Sequence, residues 1–140
     1  MLDGIDVKAA ASSGALVLAL TMASFPASAE WVKVAQTSTA VFYADNASIV
    51  KADTQVKVWH LMDLKETSSA SAAPADHQSA IGQSEYDCAL HRYRNGYSAE
   101  YAGSMGSGLP IRSIIGSRAW AWITPDSVEE KISAFACSRP

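Results

Sequence analysis

From Gln55 to Leu64 the chain alternates in a way that only an extended segment uses productively. Val56, Val58, Met62 and Leu64 fall on one side with His60 among them, and Trp59 and Leu61 fall on the other. Apolar residues on both sides predict a central strand, covered on each face. A second pattern of the same period runs from Gln83 to Arg94, placing Tyr86, Cys88 and Leu90 inward and Glu85, Asp87 and His91 outward. Asn95-Gly96 follows. That pair is a two-residue hairpin signal, because a type I′ turn needs positive φ at both central positions, so Tyr97–Tyr101 is expected to return as the paired strand.

Trp31–Ala35 and Thr39–Ala44 are short β-rich runs that predict an opening hairpin. Asp45-Asn46-Ala47-Ser48 is turn chemistry, Ile49 is expected to plug the core, and Lys51-Ala52-Asp53 makes a second polar turn. Three glycines between Gly103 and Gly108, with Pro110 beyond, predict a flexible turn, and Leu109–Ile115 and Ala119–Ile123 predict the last extended segments. Thr124-Pro125-Asp126-Ser127 then reads as a helix start, with Thr124 as cap and Pro125 at the first helical position. Val128, Ile132, Phe135 and Ala136 recur at helical spacing up to about Cys137, so one stripe faces the sheet. The elements add up to an α+β domain, a small antiparallel sheet with a C-terminal helix packed on it.

The N-terminal pattern is of another kind. Ala15–Phe25 is an apolar run too short to cross a bilayer, and Ala27-Ser28-Ala29 has the small-x-small form of a cleavage site, so residues 1–29 are expected to be an export signal and 30–140 the mature domain. No cysteine lies at that site to carry a lipid, and no other run is long enough for a membrane span, which predicts a periplasmic or secreted protein. In an oxidising compartment the two cysteines, Cys88 and Cys137, are expected to pair and tie the helix to the second patterned strand. Glu66–His77 is small, polar and low in complexity and reads as a mobile loop.

Charge excludes one class of function. The chain carries a formal −3, and its predicted mature part holds twelve acidic and ten basic residues, which is not the footprint of a general nucleic-acid binder. His60, His77 and His91 lack metal-ligand spacing, so no metal or other cofactor is expected. No serine sits in a Gly-x-Ser-x-Gly elbow, and Gly103–Gly108 lacks the Lys-Ser/Thr ending of a phosphate loop. Glu85, Asp87 and His91 share a strand side, but strand residues four apart are about 13 Å apart, so a salt-bridged face is expected there rather than acid–base chemistry. What stands out is Arg92, Tyr93, Arg94 and Tyr97. Arginine beside tyrosine anchors protein interfaces, and these four are the candidate partner-binding residues, suited to an acidic surface.

Several spaced residues together resemble the surface-adhesin protein E-like domains of proteobacteria. They are Trp31-x-x-Val34, Tyr43-x-Asp45, Ser48-Ile49, Val58-Trp59 with Asp63, Ser84-x-Tyr86-Asp87-Cys88, Arg92-x-Arg94, Met105-Gly106-x-Gly108, Trp122-x-x-Pro125-x-Ser127 and Cys137. The resemblance implies an antiparallel sheet with its C-terminal helix held by a Cys88–Cys137 disulfide, no enzymatic activity, and, for adhesin members, binding to host extracellular proteins. A non-enzymatic binding module for a protein or matrix partner is therefore the leading expectation. The alternative is a periplasmic envelope-stress or hydrolase-inhibitor protein.

Overall fold

The computed structural model describes residues 28–65 and 77–140. The predicted export signal up to position 27 and the Ser/Ala-rich stretch up to position 76 lie outside them. Among the described residues eight strands form one antiparallel sheet: β1 (Trp31–Gln36), β2 (Ala40–Asp45), β3 (Val50–Ala52), β4 (Gln55–Leu64), β5 (Ser79–Asp87), β6 (Arg92–Tyr101), β7 (Pro110–Ile115) and β8 (Ala121–Trp122). The order is β1-β2-β4-β5-β6-β7, with β3 also on β4 and β8 also on β6. A single helix among the described residues, α1 (Val128–Cys137), closes the chain.

The inner face of the sheet packs on α1. Ala44, Val56, Val58 and Tyr86 meet Ile132 and Ala136, with Val34, Ile49, Tyr93, Val128 and Phe135 around them, as the apolar stripe and the alternation of β4 predict. The Cys88–Cys137 disulfide, with Cα atoms 5.9 Å apart, joins the end of α1 to the turn after β5. Closing a loop across a separation of 49 residues contributes about 4 kcal/mol by chain entropy. On the outer face, the short turn Ser104–Gly106 lies over β4 and β5. Met105 N–H donates to Asp63 Oδ1 at 2.7 Å and Gly106 N–H to Ser79 Oγ at 2.9 Å. Gly106 has φ +74, a left-handed conformation that favours glycine, and it sets the turn close over Ile81. Leu61, beneath it, is fully buried.

Three expectations are corrected. The β5–β6 hairpin does not turn at Asn95-Gly96 but at Cys88–His91. Asp87 makes that turn: its Oδ1 accepts from the N–H groups of Ala89 and Leu90 at 3.2 and 3.1 Å, and His91 takes φ +51. Leu90, expected inward, is therefore 50 % exposed. Neither Asn95 nor Gly96 has positive φ; they lie inside β6, where Gly96 and Tyr97 together oppose Gln83 in a β-bulge. A Cβ on Gly96 would sit 3.0 Å from the Gln83 carbonyl oxygen, so the glycine serves a close strand approach instead of a turn. Helix α1 begins three residues later than Pro125 implies, because Asp126 has φ +61 and breaks the run. Ser127 is the cap, accepting from Glu130 N–H at 3.2 Å, while Glu130 Oε2 reaches back to Asp126 N–H at 2.7 Å. The last strand is also shorter than Ala119–Ile123, pairing only at Ala121 and Trp122.

Candidate functional site

The Asp87 turn decides what faces what along the hairpin. Counting back from it, β5 and β6 set Asp87 opposite Arg92, Tyr86 opposite Tyr93 and Glu85 opposite Arg94, with Lys57 of β4 on the far side of Glu85. Charged partners thus alternate with apolar ones, and each kind gets its own face. On the outer face, Arg92 Nε and Nη2 both lie 3.2 Å from Asp87 Oδ2. Arg94 pairs closely with Glu85 Oε2, while Lys57 Nζ and Arg118 Nη2 approach Glu85 Oε1 at 3.2 and 3.9 Å.

Trp120, which reaches the face just before β8, covers both arginines, its ring centroid 4.7 Å from the Arg92 guanidinium carbon and 4.5 Å from that of Arg94. Trp122 stands opposite Arg92 in the register and is 73 % exposed. The bulge brings Tyr97 onto the same face, where it meets Trp59 edge-on at 6.4 Å, although an odd spacing separates it from Arg94. Tyr93 goes the other way, stacking on Tyr86 at 6.1 Å against the edge of the core. Of the four candidate residues, three therefore share a face and Tyr93 supports it from beneath.

The electrostatics are unbalanced. Four cations, Lys57, Arg92, Arg94 and Arg118, stand around two carboxylates, Glu85 and Asp87. Partial burial pushes the Glu85 carboxyl up, but its hydrogen bonds and charge contacts with Arg94 and Lys57 outweigh this and hold it below the ordinary value. Asp87 is held low chiefly by the Leu90 N–H, against a smaller burial effect, with Arg92 and the Ala89 N–H adding to it. Both acids stay ionised, and a positive excess remains on an open, aromatic-rich surface. Sequence reasoning missed Trp120, Lys57 and Arg118. A mirror pattern, Glu85-x-Asp87 and Arg92-x-Arg94 around a four-residue turn, was the available signal for the ion-pair ladder.

Inside the sheet, His60 Nε2 lies 2.9 Å from Ser84 Oγ, which donates to Asn95 Oδ1 at 3.1 Å. Burial lowers the His60 pKa to about 4. Ser84 is only 2 % exposed, so this chain of contacts is a core network without access for a substrate. His77 lies 3.7 Å from Glu100 Oε2 and His91 sits on the hairpin turn. Among the described residues no cluster of metal-capable side chains occurs, and no helix is long and apolar enough to cross a membrane.

The family model described as surface-adhesin protein E matches residues 31–138. Two solved structures of Haemophilus influenzae protein E share the fold. One is 16% identical with a TM-score of 0.58, covering 77% of this chain and 83% of its own. The other, crystal form II, is 17% identical with a TM-score of 0.56, covering 76% of this chain and 96% of its own. No curated protein sequence matches the chain.

Proposed function

We propose that this chain, which belongs to the surface-adhesin protein E family, acts as an exported, non-enzymatic binding module. Its outer face grips an acidic surface of an extracellular protein or matrix partner. The observation that carries the reading is the arginine–tryptophan patch: Arg92 and Arg94 under Trp120, flanked by exposed Trp122 and Tyr97, with cations in excess of carboxylates. Arginine and large aromatics dominate the energetics of protein interfaces, and a positive excess selects acidic partners. Family membership supports the adhesin-like role, and the chain's two cysteines in a disulfide fit an exported protein.

The test is surface plasmon resonance of residues 30–140 over immobilised extracellular-matrix proteins. Trp122→Ala and Arg118→Ala suit it because both side chains are more than half exposed, so the fold tolerates their loss. Each is expected to weaken capture, by about 2 kcal/mol where the side chain is a hot spot, and added salt is expected to weaken it further. Capture unchanged in both variants would move the interface off this face.

A further inference from the structure

A second feature lies on the other side of the hairpin and is independent of the arginine patch. Between α1, the Cys88–His91 turn and the segment after β8 is a cleft of about 410 Å³, within the size range of small-ligand sites. Its lining is largely apolar, with Ile123, Pro125, Ala134 and the Cys88–Cys137 disulfide. Three polar groups interrupt that lining, and two of them are incompletely satisfied. Ser133 is 8 % exposed, yet among the described residues its hydroxyl finds only the Cys137 sulfur at 3.7 Å, a weak acceptor. Glu130 uses Oε2 to accept the Asp126 N–H but has no cation paired with it among the described residues, while every carboxylate of the outer patch has at least one. His91 is the third, an exposed imidazole held at the wall by a left-handed backbone.

We infer that this cleft is a binding site for an apolar ammonium ligand, a hydrocarbon or aromatic group that carries a cationic nitrogen. The apolar part fills the space against Ile123, Ala134 and the disulfide, where it is removed from water. The nitrogen pairs with the free oxygen of Glu130, and Ser133 offers a hydroxyl to a second polar atom. An anion is disfavoured by the same carboxylate. The chemistry is complementary to that of the outer face, which collects carboxylates and repels cations, so the two sites do not compete for one ligand.

Phenethylamine is the probe, titrated into the disulfide-bonded 30–140 domain and followed by amide chemical shifts. Shifts are expected at Cys88, His91, Ile123, Ser133 and Ala134, with the Lys57 and Arg94 amides unmoved. Glu130→Gln keeps an oxygen for the Asp126 N–H but not the charge, and is expected to weaken binding about tenfold. Hydrocinnamate, the anion of similar shape, is expected to bind the wild type about tenfold more weakly than the amine. Ala134→Leu, at an exposed helical position, fills the cleft and is expected to abolish the shifts. The inference falls if the amine moves no cleft resonance, if the anion binds equally well, or if either variant binds as the wild type does. None of those results touches the outer patch, whose failure is read separately from matrix capture.

Discussion

The two faces of the β5–β6 hairpin are made by the same stretch of chain and are held by different physics. On the inner side Tyr86 stacks on Tyr93 and is 1 % exposed, packed on Val56, Val58 and Ile132. One residue along, Glu85 and Arg94 face out, paired with each other, and Glu85 also pairs with Lys57. Apolar burial is non-directional and large, whereas a partly exposed ion pair loses in desolvation and screening much of what it gains in attraction. The inner face therefore supplies stability, and the outer face can exchange its partners for those of another molecule at small cost. Such a division suits a binding module: the surface that must let go contributes little to holding the fold.

The largest expected effect tests the inner side. Tyr86→Ala removes a fully buried ring from beside the disulfide-tied helix and is expected to destabilise by about 3–5 kcal/mol, measured by urea unfolding at neutral pH. A loss near 1 kcal/mol would mean that the inner face is not the main source of stability, and the comparison would break.

The second effect is acid sensitivity, again from the inner face. Unfolded, His60 protonates near 6.5; folded, it stays neutral down to about 4. Between those values the unfolded chain binds more protons, so stability falls as pH drops from 6.5 to about 4, by up to about 3 kcal/mol in total, and His60 has no such effect above neutrality. The depressed carboxyls Glu85 and Asp87 act in the same direction but only below their own unfolded values of 4.5 and 3.8, so the window above 4.5 belongs to His60. Urea midpoints at pH 7 and pH 5 measure it. His60→Gln is expected to abolish most of the difference, and an unchanged slope in that variant would assign the titration elsewhere.

How much of this was legible in the residues depended on which cue was local. Strand β4 lies where its alternation placed it, Gln55 to Leu64, because burial on both sides leaves one register that works. The pairing of Cys88 with Cys137 and the stripe of α1 were legible for a like reason: two cysteines allow one bridge, and helical period allows one apolar face. The hairpin was misplaced because Asn95-Gly96 is a strong turn pair in isolation, while the real turn is made by an aspartate cap and a non-glycine residue, His91, at positive φ. Thr124-Pro125 misled in the same way, since the positive φ of Asp126 is set by the capping contacts around it and has no signature of its own. Trp120 over Arg92 and Arg94 could not be read at all, because the contact joins segments whose spacing depends on the length of the intervening loop and β7.

The smallest expected effect is on the outer face, and it decides whether the division between faces is functional. Arg94→Ala removes one of three cations around Glu85, but Lys57 and Arg118 remain, so the carboxylate is not left unpaired. Arg92→Ala leaves Asp87 with the Ala89 and Leu90 N–H groups, which suffice for a carboxylate whose main task is to shape the turn. Each change is therefore expected to cost only about 1 kcal/mol, set by a partly exposed pair and a lost contact with Trp120. Matrix capture, by contrast, is expected to fall by about 2 kcal/mol or more if the arginines anchor the partner. The informative quantity is the ratio of the two losses in one variant, binding by plasmon resonance against stability by urea. A stability loss near 3 kcal/mol for either arginine, as for a buried pair, would mean that the ladder is structural and its cations are committed to their own sheet. Binding would then have to pass through the exposed Trp122 and Tyr97, whose side chains carry no charge of the ladder.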